Sequence, residues 1–161
     1  MNFSAAFRFL LWGAFCVLFM SGCGQPRPDG LPNLYPVTLK FMQEGAPCTD
    51  ALVSLTPESD GQWAVGGITD SNGNAALLTH GRYPGVPAGK YKVAVIKTET
   101  ELIGPPPTGT EDAVGSTTYN LIDPVYSISS STTLAIEVVA GKNSFPPFDL
   151  GKKVREIVAS P

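Results

Sequence analysis

From Val37 onward, apolar residues recur at every second position in short runs separated by glycine-bearing turns. A half-buried strand requires that period and a helix cannot use it. Residues 37–41 (Val-Thr-Leu-Lys-Phe) and 51–55 (Ala-Leu-Val-Ser-Leu) alternate in this way. Further strands are expected at 62–69, 75–79, 90–97 with Tyr91, Val93 and Val95 on one face, 132–139 with Leu134, Ile136 and Val138, and 144–150. Between them stand Glu44-Gly45, Asp60-Gly61, Asn72-Gly73, Ala88-Gly89 and Gly141 with Asn143, where glycine supplies the positive φ of tight hairpins. A single sheet would leave one apolar face in water. The expected fold is therefore all-β, a seven-stranded antiparallel sandwich, with no convincing helix in this part of the chain.

The first 22 residues have a different character. One positive charge, Arg8, precedes Phe9 to Met20, twelve uncharged and almost wholly apolar residues. Crossing a bilayer takes about 20 such residues, so this run reads as a signal helix that targets the chain for export and is cleaved off. It ends in Met20-Ser21-Gly22-Cys23, which resembles the bacterial lipobox. Small residues at 21 and 22 admit an extended backbone to a membrane peptidase, and the thiol of Cys23 takes the diacylglyceryl group. Met20 departs from the leucine usual there. The resemblance implies cleavage after Gly22, lipidation of Cys23 and extracytoplasmic anchoring to the cell membrane or the outer membrane, with the membrane itself as a partner. Residues 23–34, with Pro26, Pro28, Gly30 and Pro32, read as a tether, and 35–150 as one β domain.

Of three cysteines, Cys16 leaves with the signal and Cys23 is consumed by lipid. Cys48 remains as a free thiol in what reads as a polar turn, and no intramolecular disulfide is expected. Losing Arg8 leaves ten basic residues against fourteen acidic ones, a formal charge of about −4. Nucleic acid is not an expected partner, because phosphate binding needs clustered Lys and Arg and the nearest approach is the short patch Lys152, Lys153, Arg155. Residues 151–161 read as a frayed tail, the alternative being a helical turn through Val154, Ile157 and Val158. Residues 98–127, with Gly104, Pro105, Pro106, Pro107, Gly109 and Gly115, read as one long irregular segment, either decoration or a binding loop.

Little in the chain points to catalysis. A catalytic zinc needs about three protein ligands, and His80 is the sole histidine, so neither metal nor cofactor is expected. Asp70, Asn72 and Asn74 alternate as calcium ligands do, but an EF-hand loop starting at Asp70 would require glycine and glutamate where Ala75 and Gly81 stand. A hairpin turn is the expected reading. No GxSxG or similar motif supports His80 as a base for a nucleophile. Trp63, Tyr35, Tyr83, Tyr119 and Tyr126 are the candidate aromatics for a glycan or peptide surface, with Tyr119, Tyr126, Trp63 and Tyr83 the ones assigned to a possible binding loop.

The order of segments resembles carboxypeptidase regulatory-like domains. Residues 43–57 (QEGAPCTDALVSLTP) resemble the family's opening "DGKPLAGATVTFVP", 67–78 (GITDSNGNAALL) its "TDADGRF" and 86–97 (VPAGKYKVAVIK) its "PAGKYKVTV". Residues 121–126 and 133–150 resemble the closing "IPEKY" and "LTVEVKAGKNTFDFDL" of small bacterial lipoproteins of this kind. Cys48-Thr49-Asp50 and Ala75-Ala76 depart from the pattern. The resemblance implies a transthyretin-like, prealbumin-type Greek-key sandwich serving as an accessory module. Hydroxyisourate hydrolases share that sandwich, but their paired histidines and C-terminal Tyr-Arg-Gly-Ser are not matched here. The expected function is a non-enzymatic, lipid-anchored cell-envelope module with a structural or protein-interaction role. The alternative is a carbohydrate- or peptide-binding lipoprotein using the 98–127 loop.

Overall fold

The computed structural model describes residues 27–59, 61–103 and 115–158. The signal segment, the lipobox with Cys23, and Pro105 to Pro107 lie outside the described residues. The chain divides into two compact units, Met1–Leu31 and Pro32–Pro161. In the first, Leu31 N donates to Pro28 O at 3.2 Å and Gly30 takes a φ of +80°, closing a turn.

The second unit is all-β, and its described residues contain no α-helix. Its strands are β1 (Leu34–Tyr35), β2 (Thr38–Gln43), β3 (Ala46–Pro47), β4 (Leu52–Pro57), β5 (Val65–Ile68), β6 (Asn74–Ala76), β7 (Leu78–Thr79) and β8 (Tyr83–Pro84). They continue with β9 (Val86–Pro87), β10 (Gly89–Ile96), β11 (Thr98–Ile103), β12 (Gly115–Asn120), β13 (Ala135–Val138), β14 (Phe148–Asp149) and β15 (Glu156–Ile157). A short 3-10 helix, Pro124–Tyr126, is capped by Asp123, whose carboxylate accepts from Val125 N at 2.9 Å. One six-stranded sheet runs β13-β10-β4-β5-β7-β8, and a second sheet runs β14-β2-β3 with β6 also on β2.

Alternation explains the core. Leu39 and Phe41 of β2, Val53 and Leu55 of β4, Val93 and Val95 of β10, and Ile136 and Val138 of β13 are all buried in a single cluster that both sheets share. Burying such a side chain contributes about 1.5 to 3 kcal/mol. Phe41 is fully buried and stacks on Phe148 with ring centroids 5.5 Å apart. Each of the seven expected segments contains a strand.

Four expectations are corrected. Pairing is not uniformly antiparallel, because β14 runs parallel to β2, setting Phe148 beside Phe41. Nor is the count seven, since several strands are two-residue pairings too short to leave a period; β1, which pairs with β9, begins at Leu34, inside the expected tether. Residues 98–127 are not one irregular segment: β11 and β12 pair in register from Thr98 opposite Asn120 to Ile103 opposite Gly115. Every residue of β11 is exposed, so the strand has no buried face to print an alternation. The tail is neither frayed nor helical through 158, because β15 pairs with β12 and Val158 N donates to Thr118 O at 2.8 Å.

Candidate functional site

The register decides which loops share an end of the body. Tyr35 lies opposite Val86, Gly89 opposite Val138 and Tyr91 opposite Pro57. The entry of the chain at β1 therefore shares an end with the start of β10 and the ends of β4 and β13. Val65 lies opposite Leu55 and His80 N donates to Ala64 O at 2.7 Å, which brings residues 63–65 and the turn at 80–82 to the same entry end. At the far end Ile96 faces Leu52, Leu52 faces Ile68, and Asp50 N donates to Thr69 O at 3.0 Å.

A groove of about 670 Å³ opens at the entry end, lined by Tyr35, Pro36, Thr38, Lys142, Asn143 and Phe145 among others. Its walls come from two parts of the chain. Tyr35 is held by the pairing of β1 with β9, and the turn after β13 supplies Lys142. Asn143 shapes that turn: its Oδ1 accepts from Val139 N at 2.9 Å and its Nδ2 donates to Val139 O at 3.0 Å, while Gly141 takes a φ of +108°. Lys142 stands exposed at the rim, and Tyr35 and Phe145 are half-buried. The sequence marks Gly141 and Asn143 as a turn; that the turn faces Tyr35 is a consequence of tertiary pairing and leaves no local signal.

The five aromatic candidates are not brought to one place, and of them only Tyr35 is among the groove's lining residues. Trp63 and Tyr83 belong to the entry end, where the Trp63 ring lies 5.0 Å from that of His80 at an interplanar angle of 58°. His80 is exposed and left-handed, with a φ of +54°. Tyr119 sits in the β11-β12-β15 sheet beyond the far end of β10, with the Arg155 guanidinium 3.8 Å from its ring centroid and Arg155 Nη2 donating to Glu101 Oε2 at 2.6 Å. Tyr126 packs against the core from the 3-10 helix.

The remaining chemistry-bearing side chains have structural duties. Asp70 Oδ1 accepts from Asn72 N and Asn74 N, each at 2.8 Å, and these two backbone donors hold its carboxyl below the usual range. That is the hairpin turn expected of Asp70, Asn72 and Asn74. Cys48 is free but is not in a polar turn: it is 2% exposed within the core cluster, because its N donates to Phe41 O at 3.0 Å and pulls the residue inward. Burial pushes its thiol up, against the opposing pull of Lys97, so it is protonated at neutral pH and unlike an activated nucleophile. Among the described residues, no group of three His, Cys, Asp or Glu side chains is placed to hold a metal, and no helix is long and apolar enough to cross a membrane. No family model matches the chain, and neither a curated protein nor a solved structure matches it.

Proposed function

We propose that this chain is a lipid-anchored, non-enzymatic module of the bacterial cell envelope, acting through protein interaction. The observation that carries the reading is the run Phe9 to Met20 closing on Ser21, Gly22 and Cys23, a small pair and a thiol in register behind an apolar segment too short to span. Acylation of Cys23 holds the body to a membrane. The body is a carboxypeptidase regulatory-like, transthyretin-like Greek-key sandwich, a reading supported by two sheets that share one core and by the order of segments from Gln43 to Leu150. A non-catalytic role is supported by the duties of the reactive side chains: Asp70 shapes a turn and Cys48 is desolvated.

The interaction surface is the β11-β12-β15 sheet. Leu102 is 70% exposed, Ile103 58% and Ile157 68%, three large apolar side chains that this one small sheet leaves to solvent, Leu102 on the face opposite Ile103 and Ile157. Exposed apolar side chains of this size favour an envelope protein over a glycan as partner. The second reading, a carbohydrate- or peptide-binding lipoprotein using residues 98–127, draws on Tyr119 in the same sheet.

Two measurements test the proposal. Cells fed labelled fatty acid incorporate it into the wild-type chain, whereas the Cys23→Ala chain takes up none and persists as precursor or is released. Uptake by neither, or cleavage after Gly22 with membrane retention in Cys23→Ala, contradicts the anchor. Crosslinking in the native envelope recovers a protein partner that is lost with Leu102→Ser and Ile103→Ser together; a glycan-array signal with no crosslinked protein supports the second reading instead.

A further inference from the structure

We infer that the entry end of the body is a bilayer-facing surface, resting on the anionic headgroups of the same membrane that holds the chain's anchor. The inference depends on the proposed acylation of Cys23 and goes beyond it, because a tether alone leaves the orientation of the body free. Three observations converge on this end.

The first is where the anchor-bearing segment arrives. Cys23 precedes Leu34 by eleven residues, and Leu34 enters β1 at this end. Even a fully extended segment spans at most about 3.6 Å per residue, so the anchor stays within roughly 40 Å of the entry point, and the body can settle onto the surface whenever its contact is favourable.

The second is the chemistry of the side chains gathered there. Trp63, Tyr35, Tyr83 and Phe145 are half-buried, leaving part of each ring at the surface. Indole and phenol rings favour the headgroup level of a membrane, where an apolar body and a polar tip are both accommodated. Lys142 lines the same groove as Tyr35 and Phe145, and Arg82 and Lys90 are exposed at this end, with long stems able to lie along apolar surface while the charge reaches phosphate.

The third is how charge is distributed. At the entry end, Arg82, Lys90, Lys92 and Lys142 face Glu58, which pairs with Lys92 at 3.9 Å, Glu137 opposite Lys90, and Asp60 by sequence. At the far end and in the sheet beyond it, Glu44, Asp50, Asp70, Glu99, Glu101, Asp123, Asp149 and Glu156 outweigh Lys40, Lys97, Lys152, Lys153 and Arg155. The chain's negative excess therefore lies away from the entry end. The mature chain's formal charge of about −4 suggests repulsion from an anionic membrane, but the end that meets the membrane does not carry that charge.

The groove between Tyr35 and Lys142 fits this role, offering a cation at its rim and aromatic walls to a phosphate and its glycerol.

Trp63 makes the test direct. The chain has two tryptophans, and Trp12 departs with the signal, so emission from the mature protein reports on Trp63 alone. The mature lipidated protein is reconstituted into vesicles of phosphatidylglycerol and phosphatidylcholine, with and without bromine on the acyl chains. Trp63 emission is expected to shift to the blue and to be quenched by the brominated lipid, and to lose both effects in pure phosphatidylcholine. Lys142→Glu with Arg82→Glu, both exposed positions, is expected to shift the docked-to-undocked ratio on the order of tenfold or more, removing most of the quenching. An unchanged urea midpoint for that variant confirms that it folds. Acylated protein whose Trp63 emission is the same in brominated and plain vesicles overturns the inference while leaving the anchor intact. Quenching that is indifferent to the charge reversals overturns it as well, and a chain that carries no acyl group overturns the anchor and the orientation together.

Discussion

At the scale of single residues, two positions show how backbone geometry and burial decide behaviour. Gly73 has a φ of +75°, donates its N–H to Asp70 O at 2.9 Å and accepts from Phe41 N at 2.8 Å. A Cβ there would collide with the Phe41 carbonyl. Gly73→Val therefore combines a disfavoured backbone with a clash against a core strand that cannot retreat, and is expected to lower stability by about 2 to 4 kcal/mol in urea denaturation. An unaltered midpoint would show the turn to be placed elsewhere. Cys48 behaves in the opposite way from a surface thiol. In the folded mature chain it should react with a thiol reagent only as fast as the protein opens, and at once in denaturant. Its pH linkage has a definite sign. With its folded value raised above the ordinary 9.0, the unfolded chain loses the thiol proton first, so its contribution is complete below about pH 9 and declines as pH rises through the folded value. The stability margin of wild type over Cys48→Ala should narrow above pH 9; a margin that widens there contradicts burial as the cause.

Among the elements, legibility in the sequence followed burial. β2, β4, β10 and β13 each bury one face, so their apolar residues fall at alternate positions and their existence could be read directly. β11 buries neither face, and its Thr-Glu-Thr-Glu-Leu-Ile composition carries strand propensity without alternation. β1, β9 and β15 are two residues each, created by partners distant in sequence, and β8 is a two-residue strand in a short hairpin with β7. The entry-end groove is illegible for the same reason; Gly141 and Asn143 carry a turn signal, but the chain there crosses from β13 in one sheet to β14 in the other instead of closing a hairpin. The attachment of β15 to β12 rests on few contacts, of which Arg155 supplies two: its ion pair with Glu101, between side chains 50% and 54% exposed, and its stacking on Tyr119. A pair this exposed is screened by solvent and contributes little, as does stacking at an exposed ring, so Arg155→Ala should barely move global stability. It should instead accelerate amide exchange at Val154 and Val158, whose N–H groups bond to Leu121 O and Thr118 O. Exchange at those amides unchanged from wild type would show that backbone pairing alone holds the strand.

For the body as a whole, the question is whether its two main sheets are one cooperative unit. β2 is the central strand of the smaller sheet, flanked by β14, β3 and β6, and it sends Leu39 and Phe41 into the cluster that also receives Val53, Val93, Val95 and Ile136 from the six-stranded sheet. Neither sheet has another apolar partner of comparable extent among the described residues, so neither keeps its inner face dry if the other melts. Phe41 is the largest fully buried side chain, and its backbone also holds Gly73 and Cys48 in place. Phe41→Ala should cost about 3 to 5 kcal/mol, a large share of the roughly 5 to 15 kcal/mol that a domain of this size possesses. The loss should appear identically in both sheets, although Phe41 lies in only one of them. Trp63, beside β5, reports on the six-stranded sheet through its fluorescence, while far-ultraviolet circular dichroism averages over all strands. In a urea titration of the mature chain the two signals should trace one transition, in wild type and in Phe41→Ala alike, with the midpoint displaced and the slope preserved. A fluorescence transition that stays at its wild-type midpoint while the dichroism splits into two steps would mean that the six-stranded sheet stands alone and that the shared core does not couple the two.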